Sequence, residues 1–135
     1  MFGWVLFAAE LRRWTRQGRR PQFWWRDDDA RAPTPALARL IACAAPDAIP
    51  LALAVLPEGP DATLAVFLKT QPLIGVLLHG VDHLSGGPPG QPSQFSRLAP
   101  VAEVAARLRR GRAQLAAFDR RLPVYVPPWN DLQPN

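Results

Sequence analysis

Hydrophobic and polar positions follow two rhythms along this chain. Trp4, Phe7, Leu11 and Trp14 fall at i, i+3, i+7 and i+10, the spacing of one helix face. They predict an amphipathic helix over about residues 3–17 that packs on a core. "GRRP" breaks that pattern, and "QFWWR" then reads as a short buried strand. "PTPALARLIACAA" opens on Pro33, Thr34 and Pro35, a helix start, and sets Leu37, Leu40 and Ile41 on one face. "IPLALAVLP" is a continuous apolar run, as expected of a strand buried on both faces. A second short helix, "PDATLAVFLKT", and a second apolar strand, "LIGVLLHG", follow. "GGPPGQPSQFS" has no period and predicts a loop. "APVAEVAARLRRGRAQLAAFDRR" is the longest helical pattern, and "LPVYVPPW" closes as a strand.

Strands that alternate with helices predict an α/β fold, with about four parallel strands joined by crossover helices. No repeat of fixed period and no linker divides the chain. A single domain over residues 1–135 is expected, an N-terminal helix in 1–20 preceding the β/α repeats of 21–135. A chain of 135 residues that is 48% hydrophobic can bury a core.

Charge adds a second question. Sixteen basic against eleven acidic residues leave a net charge of +5 and a pI near 10.9. Lys69 is the only lysine, and arginine clusters suit phosphate or carboxylate partners. A basic nucleic-acid-binding module is therefore an alternative. The arginines sit mainly in helical segments such as "RRWTRQGRR" and "ARLRRGRAQL", where a charge run is usually a solvated face. No nucleic-acid partner is expected on that ground. Cys43 is the only cysteine, so no intrachain disulfide forms and nothing argues for an oxidising compartment. The opening "MFGWVLFAAELRRW" lacks a positive n-region and an A-x-A site, and it meets Glu10 and Arg12 too early to span a bilayer. No export signal, no membrane span and a cytoplasmic location are the expectation.

The chemistry collects at strand ends. "RDDDA" follows the first strand, "HGVDH" the third and "PPWN" the fourth. The carboxyl ends of parallel strands share one face, where α/β folds place their sites. Asp27, Asp28 and Asp29 repel one another, and a cation would hold them together. Arg26 offsets part of that repulsion. His79 and His83, the chain's only histidines, share a face if the segment turns helically after the strand. An aspartate, two histidines and an open position form the ligand set of a catalytic zinc site. With three acids, one can ligate while a neighbour acts as general base. The plainer alternatives make His79 a hydrogen-bonded strand-end residue, His83 a surface residue and Asp29 a helix cap. Trp129 is a candidate wall for a carbohydrate or small-molecule pocket, and the diproline before it a rigid strand exit.

These three motifs, in this order, resemble the polysaccharide deacetylase superfamily, carbohydrate esterase family four, and in particular its divergent bacterial type. The resemblance covers roughly residues 20–131. It implies the N-terminal part of a distorted (β/α) barrel and metal-dependent hydrolysis of an acyl (acetyl) group from an amide on a carbohydrate. By the same resemblance Asp28 is the catalytic base, and Asp29, His79 and His83 hold a divalent metal, zinc by preference. Trp129 lends its backbone N–H to the oxyanion hole, with Asp27, Arg26 and Asn130 as accessory residues. Its implied partner is an N-acetylated carbohydrate or related small substrate.

Departures from the family pattern are equally specific. Val126 stands where the base-orienting arginine is expected, which leaves Arg26 as its substitute. Ala30 replaces a glycine, Asp27 an aromatic residue, and Gly80 a serine or threonine. The chain ends at Asn135, before the later segment in which the family carries its general acid, a third histidine. The domain is thus expected to be C-terminally incomplete, self-associating through open sheet edges and inactive alone unless Asp27 or Asp82 supplies the acid. An inactive fragment or pseudoenzyme is the alternative to the enzyme.

Overall fold

The computed structural model describes residues 2–132, the side chain of Phe2 excepted. Its elements are α1 (Phe2–Arg16), β1 (Trp25–Ala30), α2 (Pro35–Ala44), β2 (Leu51–Val55), α3 (Ala62–Lys69), β3 (Ile74–His79), α4 (Val101–Gln114) and β4 (Arg121–Val126). The strands form one parallel sheet in the order β1-β2-β3-β4. The α/β architecture read from the periodicity is the one observed.

Local chemistry sets the helix starts. Thr34 is extended and its side chain accepts from the Leu37 N–H, with Pro35 pre-set for the first turn of α2. Asp61 caps α3 by accepting from both the Thr63 N–H and the Thr63 hydroxyl. The first acid-rich segment takes no part in capping α2, so the helix-cap alternative for Asp29 does not describe this chain.

Each strand sorts its residues by alternation. Leu51, Leu53 and Val55 of β2 and Ile74 and Val76 of β3 join Leu37, Leu64, Leu68, Leu115 and Phe118 in one buried cluster. Helices α2 and α3 and the segment after α4 thus cover a single face of the sheet. On the other face, Ala54, Leu77 and Val126 form a smaller cluster with Ala52. His79 is two residues beyond Leu77 and so projects from this second face.

Three boundaries differ from the sequence reading. β1 begins at Trp25 and contains the three acids, whereas Phe23 and Trp24 are 71% and 61% exposed. Pairing with β2, Trp25 opposite Leu51, defines that strand; aromatic character alone does not. α1 forms as expected, but Trp4 is 79% exposed and packs edge-on against Phe7, which touches Phe23. Its aromatic face gathers on itself and is not buried in the core. The last helix ends at Gln114, and a tight turn over Leu115–Ala117 drops Leu115 and Phe118 into the core before β4.

Two features of β4 follow from its place at the edge of the described sheet. Pro123 lacks an N–H for a ladder and lies where the β3–β4 register shifts, between the pairs Val76–Arg121 and Leu78–Tyr125. Just before the strand, Arg120 donates to the carbonyls of Ile74 (3.0 Å), Leu68 (2.7 Å) and Gln71 (2.5 Å). One guanidinium therefore ties the end of α3 and the start of β3 to β4.

Tyr125, the only tyrosine, keeps its hydroxyl buried with no hydrogen-bond partner. Burial pushes its pKa up to about 12; Arg107 lowers it and Asp82 raises it by smaller amounts. A phenol whose folded pKa is raised stabilises the fold fully below its unfolded pKa near 10 and loses that contribution as pH rises toward 12. An absorbance titration of phenolate should therefore show one late ionisation, coupled to alkaline unfolding. An ordinary tyrosine titration in a folded chain would contradict the burial of this hydroxyl.

Candidate functional site

The ends of β1, β3 and β4 carry the chemistry, and backbone irregularity brings it together. Asp27 pairs with Leu53 and Ala30 with Val55, so β1 holds one residue more than its partner across this step. Such a bulge re-aims side chains. Asp29, within it, has a left-handed φ of +65°. Simple alternation would put Asp29 on the side of Asp27; the bulge instead delivers it to His79.

His79 is 3% exposed and is fixed by two contacts. Its Nδ1 lies 3.1 Å from the Val126 carbonyl, and its Nε2 lies 3.0 Å from Asp29 Oδ1. A carbonyl only accepts, so the proton is on Nδ1, and in the neutral ring the Nε2 lone pair faces the carboxylate. His83 Nε2 approaches the same Oδ1 at 3.2 Å. Two imidazole nitrogens thus converge on one carboxylate oxygen. Neutral rings with lone pairs aimed there would be repelled; a cation among the three atoms removes the conflict. Asp29, His79 and His83 offer ligand atoms all within 4.8 Å of one another. The donor types and the outer hydrogen bond of His79 fit a divalent ion such as zinc.

His83 reaches this point by a route the sequence reading did not foresee. Residues 80–84 are not helical. Gly80 and His83 both have left-handed φ values, +59° each, and these turns bring the second ring back to 5.5 Å from the first. Gly80 cannot carry a side chain here: a Cβ would collide with Gln94 Oε1 and come within 2.5 Å of Pro128 Cγ. Close packing thus requires glycine at this position.

The third motif folds over the histidines. Pro128–Asn130 make a tight turn in which Trp129 and Asn130 have φ of +55° and +54°. The Trp129 ring sits 4.7 Å from that of His83, centroid to centroid, and is 39% exposed. Among the described residues, five non-glycine positions have positive φ; only Ala48 lies outside these motifs. A bulky residue such as tryptophan adopts that conformation at a cost, and such strain gathers at functional sites.

Asp28 belongs to a separate, adjoining group. Arg26 Nη2 donates to Asp28 Oδ2 at 3.0 Å and to Asn130 Oδ1 at 3.0 Å. Its Nε lies 2.8 Å from Asp28 Oδ1, close enough for charge attraction but without hydrogen-bond alignment. That oxygen is buried and lacks a hydrogen-bond donor. Arg26 thus holds the Asp28 carboxylate, while the Val126 side chain packs in the core and its carbonyl serves His79. Asp27 joins neither group. It borders a hollow of about 260 Å³ toward Thr34, Leu37 and Leu40, which neither histidine lines. Burial, then the charges of Asp28 and Asp29, raises its pKa.

Sequence reasoning missed Gln94, buried inside the aperiodic Pro/Gly loop. Asp82 is also not free for chemistry. Burial alone would raise its pKa, but the Leu84 N–H, Gln94 and Arg107 outweigh that and hold the carboxyl below its ordinary range. No family model, curated protein or solved structure matches the chain. Among the described residues, no helix is long and apolar enough to cross a membrane.

Proposed function

We propose that this protein is a metal-dependent hydrolase that removes an acyl group, acetyl by preference, from an amide on a carbohydrate. The observation that carries the reading is the convergence of His79 Nε2 and His83 Nε2 on Asp29 Oδ1, with His79 Nδ1 committed to Val126. Sequential strand order, with helices on one face, supports a β/α-barrel-like frame and sets this cluster at the strands' carboxyl ends. Held by these three side chains, zinc would supply Lewis acidity toward an acyl carbonyl and a lowered pKa for water.

The chain's own residues divide the remaining work. Asp28 accepts a proton of the attacking water while Arg26 fixes the carboxylate, and that proton passes to the amine nitrogen as the C–N bond breaks. Asn130, on the same guanidinium, ties the base to the turn that bears Trp129. The Trp129 N–H donates to the developing oxyanion, and its half-open ring offers a stacking face to a sugar. Titrating the metal-free chain with zinc tests the reading: one ion per chain is expected, followed by hydrolysis of an aryl acetate, whose leaving group departs without needing a proton. A chain that takes up no zinc would overturn it.

A further inference from the structure

We propose that Gln94, supported by Asp82 and Arg107, is a positioning residue that sets the conformation of His83 and through it the metal affinity of the site. The affinity part rests on the metal reading above; the conformational part does not.

Gln94 is 2% exposed, and its carboxamide is fully engaged. Oε1 accepts from the Val81 N–H at 2.9 Å; Nε2 donates to Asp82 Oδ1 at 2.7 Å and to the Leu84 carbonyl at 3.1 Å. An N–H can only donate and a carbonyl only accept, so the amide's orientation is fixed. These partners bracket His83 on both sides. Asp82 Oδ1 also accepts from the Leu84 N–H at 3.0 Å, closing a turn around the histidine. On its far side Asp82 Oδ2 accepts from Arg107 Nη2 at 2.7 Å, and that guanidinium lies 5.0 Å over the Phe95 ring. The brace thus runs from α4 through Asp82 and Gln94 to the backbone on either side of His83.

Its function follows from strain. His83 holds a left-handed backbone that a non-glycine residue abandons when free to do so. Without the carboxamide, residues 81–84 would relax toward ordinary conformations, and the His83 ring would leave Asp29. His79 would stay, since its ring is anchored by Val126 and not by Gln94. Loss of Gln94 should therefore convert a three-residue ligand set into two.

Gln94→Met keeps the length of the side chain and removes its hydrogen bonds. In the metal-free full chain, exchange of the Val81 amide should accelerate at least tenfold, with thermal unfolding still cooperative. On zinc addition, both histidine Nε2 resonances should show ligation in the parent protein, and only that of His79 in the variant; two histidines make the assignment direct. Zinc affinity should fall about 10²–10³-fold, the effect of losing one ligand at about 2.5–4 kcal/mol. If Gln94→Met does not fold, Arg107→Met loosens the same brace from its solvent side and should shift the same His83 signal. Unchanged Val81 exchange, with both histidines still ligating, would overturn the proposal. A parent protein that binds no zinc would instead defeat the metal reading, and Val81 exchange with the metal-free His83 shifts would then decide the brace alone.

Discussion

His79→Ala is expected to weaken zinc binding by about 10²–10³-fold. Four-residue zinc sites bind with roughly 10–16 kcal/mol, or about 2.5–4 kcal/mol for each ligand, and each 1.4 kcal/mol is about tenfold in affinity. No described residue can take its place: the ring is buried, oriented by the Val126 carbonyl, and one of only two histidines. The truncation also empties space beside Leu77 and Val126, so circular dichroism and a melting curve must accompany the metal titration. Competition against a chromophoric chelator gives the affinity. A folded variant that binds zinc as tightly as the parent would remove His79 from the site, and with it the convergence on Asp29.

Asp28→Asn should separate catalysis from binding. The substitution keeps the shape of the side chain but removes the base, and general-base assistance contributes about 10²–10⁴-fold. Acetate release from an aryl acetate should fall by that factor, with zinc affinity close to the parent's because Asp28 is not in the ligand cluster. This substrate is chosen because its leaving group departs without a proton, so the assay reports the base alone. Arg26→Met should show a smaller loss of the same kind, through misorientation of Asp28 and release of Asn130. If Asp28→Asn hydrolyses the aryl acetate at the parent rate, the base lies elsewhere; if zinc affinity collapses instead, Asp28 is a ligand.

The parallel sheet was legible because "LALAV" and "IGVLL" are buried on both faces, and such runs carry their own signature. The convergence of Asp29 with His79, 50 residues apart, was legible for a related reason: parallel strands bring their carboxyl ends together. What the sequence concealed was decided by non-local contact. β1 is a strand because it pairs with β2, and that pairing begins at Trp25, past the two aromatic residues whose hydrophobicity suggested burial. The bulge that turns Asp29 away from the side of Asp27 has no compositional mark, and strict alternation predicts the opposite. Gln94 was hidden for a third reason. It lies in a stretch whose prolines and glycines announce a loop, and the reading that loops are solvated is wrong for a side chain that serves three backbone and side-chain partners at once.

Arg120 gathers its three carbonyls where β3 begins, and His79 stands where β3 ends. Five residue steps, about 17 Å at strand rise, separate the clamp from the chemistry. Foundations and workplace are therefore at opposite ends of the same strand. Sequence drift among the exposed loop residues 88–92 can alter that surface without disturbing the joint that Arg120 makes. A lineage built on this frame has room to vary its loops while the sheet beneath stays the same.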